Sequence, residues 1–178
     1  IRQEAVFDVS CGMAYKDDKI MPLGADDGAG VWLMLEMIDA GIKGTYVFHR
    51  GEERGGIGSR GMAQYYEEFL AQFKWAIAFD RRGTGDVITE QFSGVTASNQ
   101  FAQAFADKLN ACEFAGFSYA PSAEGIFTDT ANYADIIPEC TNVSVGYSDE
   151  HSPNETLDLW HITALRDALL RVFKDGVD

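Results

Sequence analysis

The chain has 178 residues, and its 28 acidic side chains outnumber its 14 basic ones, which gives a formal net charge of -14 at pH 7. Nucleic-acid phosphates are bound by clustered lysine and arginine, so this balance argues against a nucleic-acid partner. The sequence has no run of 18 apolar residues, and no membrane-spanning helix is expected. The length and the 46% hydrophobic content predict one globular domain, 1–178.

Apolar periodicity predicts that strands and helices alternate along the chain. The expected strands are 4–11, 20–23, 45–49, 75–79, 86–89, 118–121 and 142–147. The expected helices are 28–40, 59–71, one capped by Ser98 and one starting at Thr156, with one or two helical turns at 128–134. The strand at 86–89 follows its predecessor too closely for a helical crossover, so it should run antiparallel. This alternation predicts an α/β fold, a three-layer sandwich in which helices cover both faces of a mostly parallel central sheet.

The termini and the cysteines indicate the cellular setting. Cys11, Cys112 and Cys140 form no close pair, which predicts reduced thiols in a cytoplasmic protein. The N-terminus lacks the charged-then-apolar pattern of a secretion signal. Because the chain starts at Ile1 without a methionine, we interpret it as a fragment or a processed form.

Acidic or histidine side chains occupy turns that follow the predicted strands: Asp26, the pair Glu52 and Glu53, Asp80, and His151. The carboxyl ends of parallel strands share one edge of a sheet, so we expect these side chains to converge. Carboxylate oxygen and imidazole nitrogen are zinc ligands, and a catalytic zinc keeps three protein ligands and an open position. Successive residues point in different directions, so Glu53 can bind the metal while Glu52 faces the water as general base.

Each motif taken alone also has an ordinary structural explanation. Asp26 or Asp27 would serve as the N-cap of the helix that follows. The two glutamates would form a solvated acidic turn balanced by the flanking arginines. Asp80 would be a turn residue paired with a neighbouring arginine, and His151 a surface histidine. Only the joint occurrence of the motifs favours a shared site.

The segments 24–30 (GADDGAG), 51–59 (GEERGGIGS) and 79–80 (FD), followed by Gly146-Tyr147 and His151, occur in this order along the chain. Together they resemble the two-zinc aminopeptidase and carboxypeptidase superfamily, which includes leucyl aminopeptidases, glutamate carboxypeptidases, tripeptidases and related amidohydrolases. The resemblance covers almost the whole chain, and its specificity lies in the joint pattern.

The resemblance implies a role for each matching position. Asp26 would be the carboxylate that bridges two zinc ions, and the Asp26–Asp27 peptide bond would be cis. Glu53 and His151 would complete the first zinc site, and Asp80 would belong to the second. The substrate would be a peptide or an acylated amino acid, and Glu52 would take a proton from the hydrolytic water.

The sequence departs from the superfamily in two respects. The second zinc there also needs a His-x-Asp motif upstream of the bridging aspartate, but no histidine precedes His49. We therefore expect an N-terminally truncated catalytic domain with one fully liganded site. In addition, the roughly 70 residues between Asp80 and His151 leave no room for an inserted dimerisation or lid domain.

Two functions remain open at this point. One is zinc-dependent hydrolysis of peptide or amide bonds. The other is a non-catalytic or inactive truncated domain that keeps the fold and at most one metal. A core without some of its strands would expose a sheet edge, so we also expect self-association into a homo-oligomer.

Overall fold

The computed structural model describes residues 4–17, 20–92 and 94–174. The strands are β1 (Val6–Asp8), β2 (Met13–Tyr15), β3 (Trp75–Arg81), β4 (Asp86–Ile88), β5 (Glu90–Gln91), β6 (Gly94–Val95), β7 (Ala120–Ser122), β8 (Glu139–Ser144), β9 (Tyr147–Ser148) and β10 (Thr156–Asp158). The helices are α1 (Ala25–Asp39), α2 (Ile57–Tyr65), α3 (Glu67–Leu70), α4 (Asn99–Asn110) and α5 (Leu159–Lys174), with 3-10 turns at Glu52–Arg54 and Asp129–Tyr133.

The central sheet has the strand order β3-β8-β4-β7. β3 pairs with β8 in parallel, and β4 pairs with β7 in parallel, whereas β4 and β8 are antiparallel. The prediction that 86–89 runs opposite to the preceding strand is therefore correct in direction, although β8 lies between the two.

Helices cover both faces of this sheet. Successive strand residues point to opposite faces, and Ile77 and Phe79 of β3 belong to the core formed with α1, α4 and α5. Ala76 of β3 and Cys140 of β8 belong instead to a smaller core with Leu70 of α3. The predicted three-layer α/β sandwich is confirmed. None of the described helices is long and apolar enough to cross a membrane.

A second, antiparallel sheet with the order β1-β2-β10-β9 was not expected from the sequence. The predicted strand 4–11 is wrong beyond Asp8, because the Asp8 carboxylate accepts hydrogen bonds from the Ser10 amide and hydroxyl and starts a turn. Gly12 completes this turn at a φ of 70°. The predicted strand 20–23 is also wrong, since no described strand pairs with it. Part of the polar turn before it lies outside the described residues.

The predicted buried strand 45–49 is the largest error in the fold. This segment pairs with no strand among the described residues, and Phe48 is 48% exposed. β-branched and aromatic residues favour extended backbone, but a strand also needs a neighbour that supplies the hydrogen-bond ladder. The β3 edge away from β8 likewise has no partner strand within the described ranges.

Two predicted helices have different boundaries in the structure. The last helix begins at Leu159 rather than Thr156, since 156–158 pairs as β10 and the Asp158 carboxylate caps the helix by accepting from the His161 amide at 2.9 Å. The helix predicted at 59–71 is divided between α2 and α3 at Tyr66, which has φ -131° and ψ 32°. Ser98 caps α4 as predicted, accepting from the Phe101 amide.

α1 approaches β3 very closely at Gly30. A Cβ atom at this position would overlap the carbonyl oxygen of Phe79 and the carboxylate of Asp27. Only a glycine therefore permits this approach. It brings the start of α1, with Asp26 and Asp27, next to Asp80 at the end of β3.

Candidate metal centre

Asp26 lies in an irregular first turn of α1. Gly24 precedes it with a φ of 87°, which favours glycine, and its carbonyl accepts from the Gly28 amide at 3.1 Å. Asp26 (φ -87°, ψ 106°) and Asp27 (φ -111°, ψ 42°) depart from helical geometry. The peptide bond between them is cis, as the resemblance implies.

The two aspartates make different contacts. The Asp27 carboxylate accepts from the Gly30 amide at 3.0 Å, so the capping explanation applies to Asp27. The Asp26 carboxylate instead lies 2.9 Å (Oδ2) from Nε2 of His151.

Glu52 and Glu53 form a 3-10 turn held between glycines. Gly51, Gly55 and Gly56 have φ values of 75°, 78° and 69°, which a side chain would strain. The side chain of Glu53 is 61% exposed, yet its Oε1 lies 2.7 Å from Nε2 of His151. The turn is therefore more than a solvated acidic loop.

His151 follows β9 in a tight loop and has a φ of 60°, unusual for a non-glycine residue. Asp26, Glu53 and His151 each offer one ligand atom, and these three atoms lie within 4.8 Å of one another. The hydrogen bond that the His151 ring donates to the Glu53 carboxylate, and then the charge of that carboxylate, raises the pKa of His151. Burial, followed by the charge of Glu53, raises the pKa of Asp26. The three residues form a group able to hold a metal ion.

Asp80 lies near the end of β3 and lines a cavity together with Asp26, Glu53 and His151. It is not part of the group of three found among the described residues. Its carboxylate accepts from the Thr128 hydroxyl at 2.8 Å and from the Tyr147 hydroxyl at 3.2 Å. The Asn142 side chain accepts from the backbone amide of Asp80 and donates to its carbonyl. Thr128 and Tyr147 thus fix the side chain of Asp80, and Asn142 fixes its backbone.

The arginines that follow Asp80 do not neutralise it. Arg81 pairs with Asp86 at 2.9 Å, and Arg82 pairs with Glu150 at 3.2 Å. The explanation of Asp80 as a turn residue paired with an arginine is therefore wrong.

The acids around the cavity are protonated more readily than free carboxyl groups. Burial, and then the charge of Asp80, raises the pKa of Asp27 to about 9. Burial also raises the pKa of Asp80 to about 8, although the Thr128 hydrogen bond opposes it. The pKa of Glu52 is raised to about 7 by burial, and then by Glu53 and Asp129. This crowding of acids would be relieved by a bound cation.

The cavity itself has a volume of about 270 Å³. Its lining includes the acids Asp26, Glu52, Glu53 and Asp80 and the apolar residues Ile88, Ile126 and Phe127. A lining with both acidic and apolar residues can bind a substrate that has one polar and one apolar end.

Several residues that shape the site were missed by the sequence analysis. No role in the site was predicted for Thr128, whose hydroxyl donates to the Asp80 carboxylate. Glu155 was not singled out at all, although it is buried and accepts from two backbone amides in the Asp26 turn. The two other histidines lie outside the group of three: His161 hydrogen-bonds the Tyr119 hydroxyl, and His49 the Tyr133 hydroxyl.

No protein-family model matches the sequence, and no curated protein matches it. Solved structures do match the fold. A tripeptidase from Staphylococcus aureus superposes with a TM-score of 0.73 at 15% identity, covering 98% of this chain and 76% of that one. Aminopeptidase PepT from Bacillus cereus gives 0.70 at 13% identity, covering 97% and 76%. TET1 peptidase from Pyrococcus horikoshii gives 0.65 at 20% identity.

The match with TET1 peptidase covers 96% of this chain but 52% of that one, so this chain spans about half the length of that peptidase. At these identities the likeness establishes the fold. The fold is shared with solved peptidases.

Proposed function

We propose that the chain is a zinc-dependent hydrolase of peptide or amide bonds, of the exopeptidase type. The observation that carries the proposal is the proximity of Asp26, Glu53 and His151, with Glu52 next to them at the same cavity. The fold shared with a tripeptidase, an aminopeptidase and a further peptidase supports the same reaction class.

Asp26, Glu53 and His151 are the residues that would hold the first zinc ion. Two carboxylate oxygens and one imidazole nitrogen match the donor set of catalytic zinc, which leaves a fourth position open. Asp80, with Asp26, would contribute to a second ion. When bound, zinc supplies Lewis-acid polarisation of the scissile carbonyl and lowers the pKa of a water molecule.

Glu52 is the proposed general base. Its carboxylate is half-buried at the cavity, and its pKa of about 7 in the metal-free chain lies close to neutral pH, where a base exchanges protons efficiently. It accepts a proton from the attacking water as the new carbon–oxygen bond forms. It then returns that proton to the leaving nitrogen as the carbon–nitrogen bond breaks.

The substrate is proposed to be a peptide or an acylated amino acid. TET1 peptidase from Pyrococcus horikoshii can assemble into a tetrahedron or a large octahedral shell. By analogy, and because one edge of β3 has no partner strand among the described residues, we propose that this chain also self-associates.

The experiment that tests the function is hydrolysis of a panel of unblocked dipeptides and tripeptides and of N-acylated amino acids. The chain is first stripped with a chelator and then supplied with zinc. We expect turnover that zinc restores and the chelator abolishes. Zinc binding without turnover of any panel member would contradict the proposal and favour the non-catalytic alternative.

A further inference from the structure

Glu155 is a carboxylate buried where charged side chains are rarely found. It is 1% exposed. Its Oε2 accepts from the Gly24 amide at 2.7 Å, and its Oε1 accepts from the Asp26 amide at 2.8 Å. A buried carboxylate is costly unless such hydrogen bonds compensate it. Both of its oxygens are committed to one turn, the turn that carries Asp26.

Glu155 is also close to His151 along the chain. It lies four residues after His151, in the loop between β9 and β10. Its side chain therefore connects the loop that carries His151 to the turn that carries Asp26. Charge-assisted hydrogen bonds to backbone amides are short and strong, so this link restricts the distance between the two segments.

We propose that Glu155 is a positioning residue that holds Asp26 at metal-binding distance from His151 and so sets the affinity of the site. The inference rests on the proposed function, since it concerns the same group of residues. Groups that orient metal ligands without touching the metal typically change metal affinity by about 10-fold to 100-fold when they are replaced.

A buried glutamate can also act on stability alone, and the partly buried Glu139 provides a control. Its carboxylate likewise accepts from a backbone amide, that of Ser98 at 2.6 Å, and from the Ser98 hydroxyl at 2.8 Å. Glu139 is the first residue of β8 and pairs with Trp75, at the other end of β3 from Asp80. It therefore makes the same kind of contact away from the cavity.

The first measurement is zinc affinity by calorimetry, on chelator-treated wild type and on the variants E155Q, E155D and E139Q. In E155Q one carboxylate oxygen becomes an amide that faces a backbone donor, so we expect zinc affinity to fall by about 10-fold to 100-fold. E155D keeps the charge on a shorter side chain and should fall between E155Q and wild type. E139Q should bind zinc as wild type does.

The second measurement needs no metal. The amide protons of Gly24 and Asp26 should resonate downfield in the metal-free wild type, because each donates to a carboxylate, and E155Q should lose this shift while E139Q keeps it. If E155Q does not fold, E155D should show a smaller downfield shift than wild type, because its shorter side chain reaches the two amides less well.

The role of Glu155 would be overturned if wild type and E155Q bound zinc equally well. If E155Q does not fold, equal affinity in wild type and E155D would overturn it. In either case the proposed function would stand. A wild type that binds no zinc, with the amide shifts as expected, would overturn the proposed function and this inference with it.

Discussion

Replacing Glu52 by glutamine is expected to lower kcat at least about a hundredfold while zinc stays bound, since general-base catalysis contributes about that much or more. Glutamine has nearly the same shape as glutamate but cannot take a proton from water. Glu52 is not one of the three residues that would hold the first ion, so the E52Q variant should bind zinc as well as wild type does.

The matched control for this prediction is E150Q. Glu150 lines the same cavity and pairs with Arg82, so its replacement removes the same charge from the same region. Steady-state kinetics of wild type, E52Q and E150Q, each with measured zinc content, distinguishes the loss of the general base from the loss of a negative charge in this region. Full activity in zinc-loaded E52Q would remove Glu52 from the mechanism.

Metal-free protein is expected to lose stability as the pH rises, by more than about 2 kcal/mol between about pH 6 and about pH 9. The pKa of Asp27 is raised to about 9 and that of Asp80 to about 8, well above the usual range of free aspartate. Over this interval the folded chain holds protons that the unfolded chain has released, so stability falls as the pH rises. Solvent screening of the partly exposed carboxylates reduces the expected loss of stability.

Urea unfolding of the chelator-treated chain at several pH values measures this effect. D27N should flatten the pH dependence and raise stability at high pH, because its amide oxygen can still accept from the Gly30 amide. D135N, which removes one charge from an exposed aspartate, is the control and should leave the slope unchanged. Saturating zinc should oppose the loss at high pH, since metal binding favours deprotonated ligands. A stability that rises with pH in metal-free protein would contradict the prediction.

The residues of the site that the sequence could predict are those whose local motif is informative. Glycines around Asp26 and around Glu53 indicate tight turns at strand and helix ends, and a parallel sheet brings such turns to one edge. That rule accounts for Asp80 near the end of β3, but not for the approach of His151 to Asp26 and Glu53, because His151 follows β9 of the antiparallel sheet. The segments 20–23 and 45–49, which precede the two acidic turns, pair with no strand among the described residues. The three-layer architecture was predictable, because long apolar helices and strands dominate the alternating pattern.

The remaining features depend on contacts between distant segments, which a local pattern does not contain. The segment 45–49 has strand composition, but pairing requires a neighbouring strand. Glu155 is one of three acids in the polar loop 149–155, and nothing in its surroundings in the sequence indicates burial. The support of Asp80 by Thr128 and Tyr147 joins three segments far apart in the chain.

The most direct test of the account is the amount and affinity of zinc bound by purified wild type, E53Q and E150Q after removal of loosely held metal. We predict about one tightly bound zinc per chain in wild type and in E150Q, because three protein ligands suffice for such a site. E53Q, which lacks one of those ligands, should bind zinc more than about a hundredfold more weakly, beyond the range found for groups that only orient ligands. A wild type without bound zinc, or an E53Q variant that holds zinc equally well, would contradict the assignment of this cluster as a metal centre.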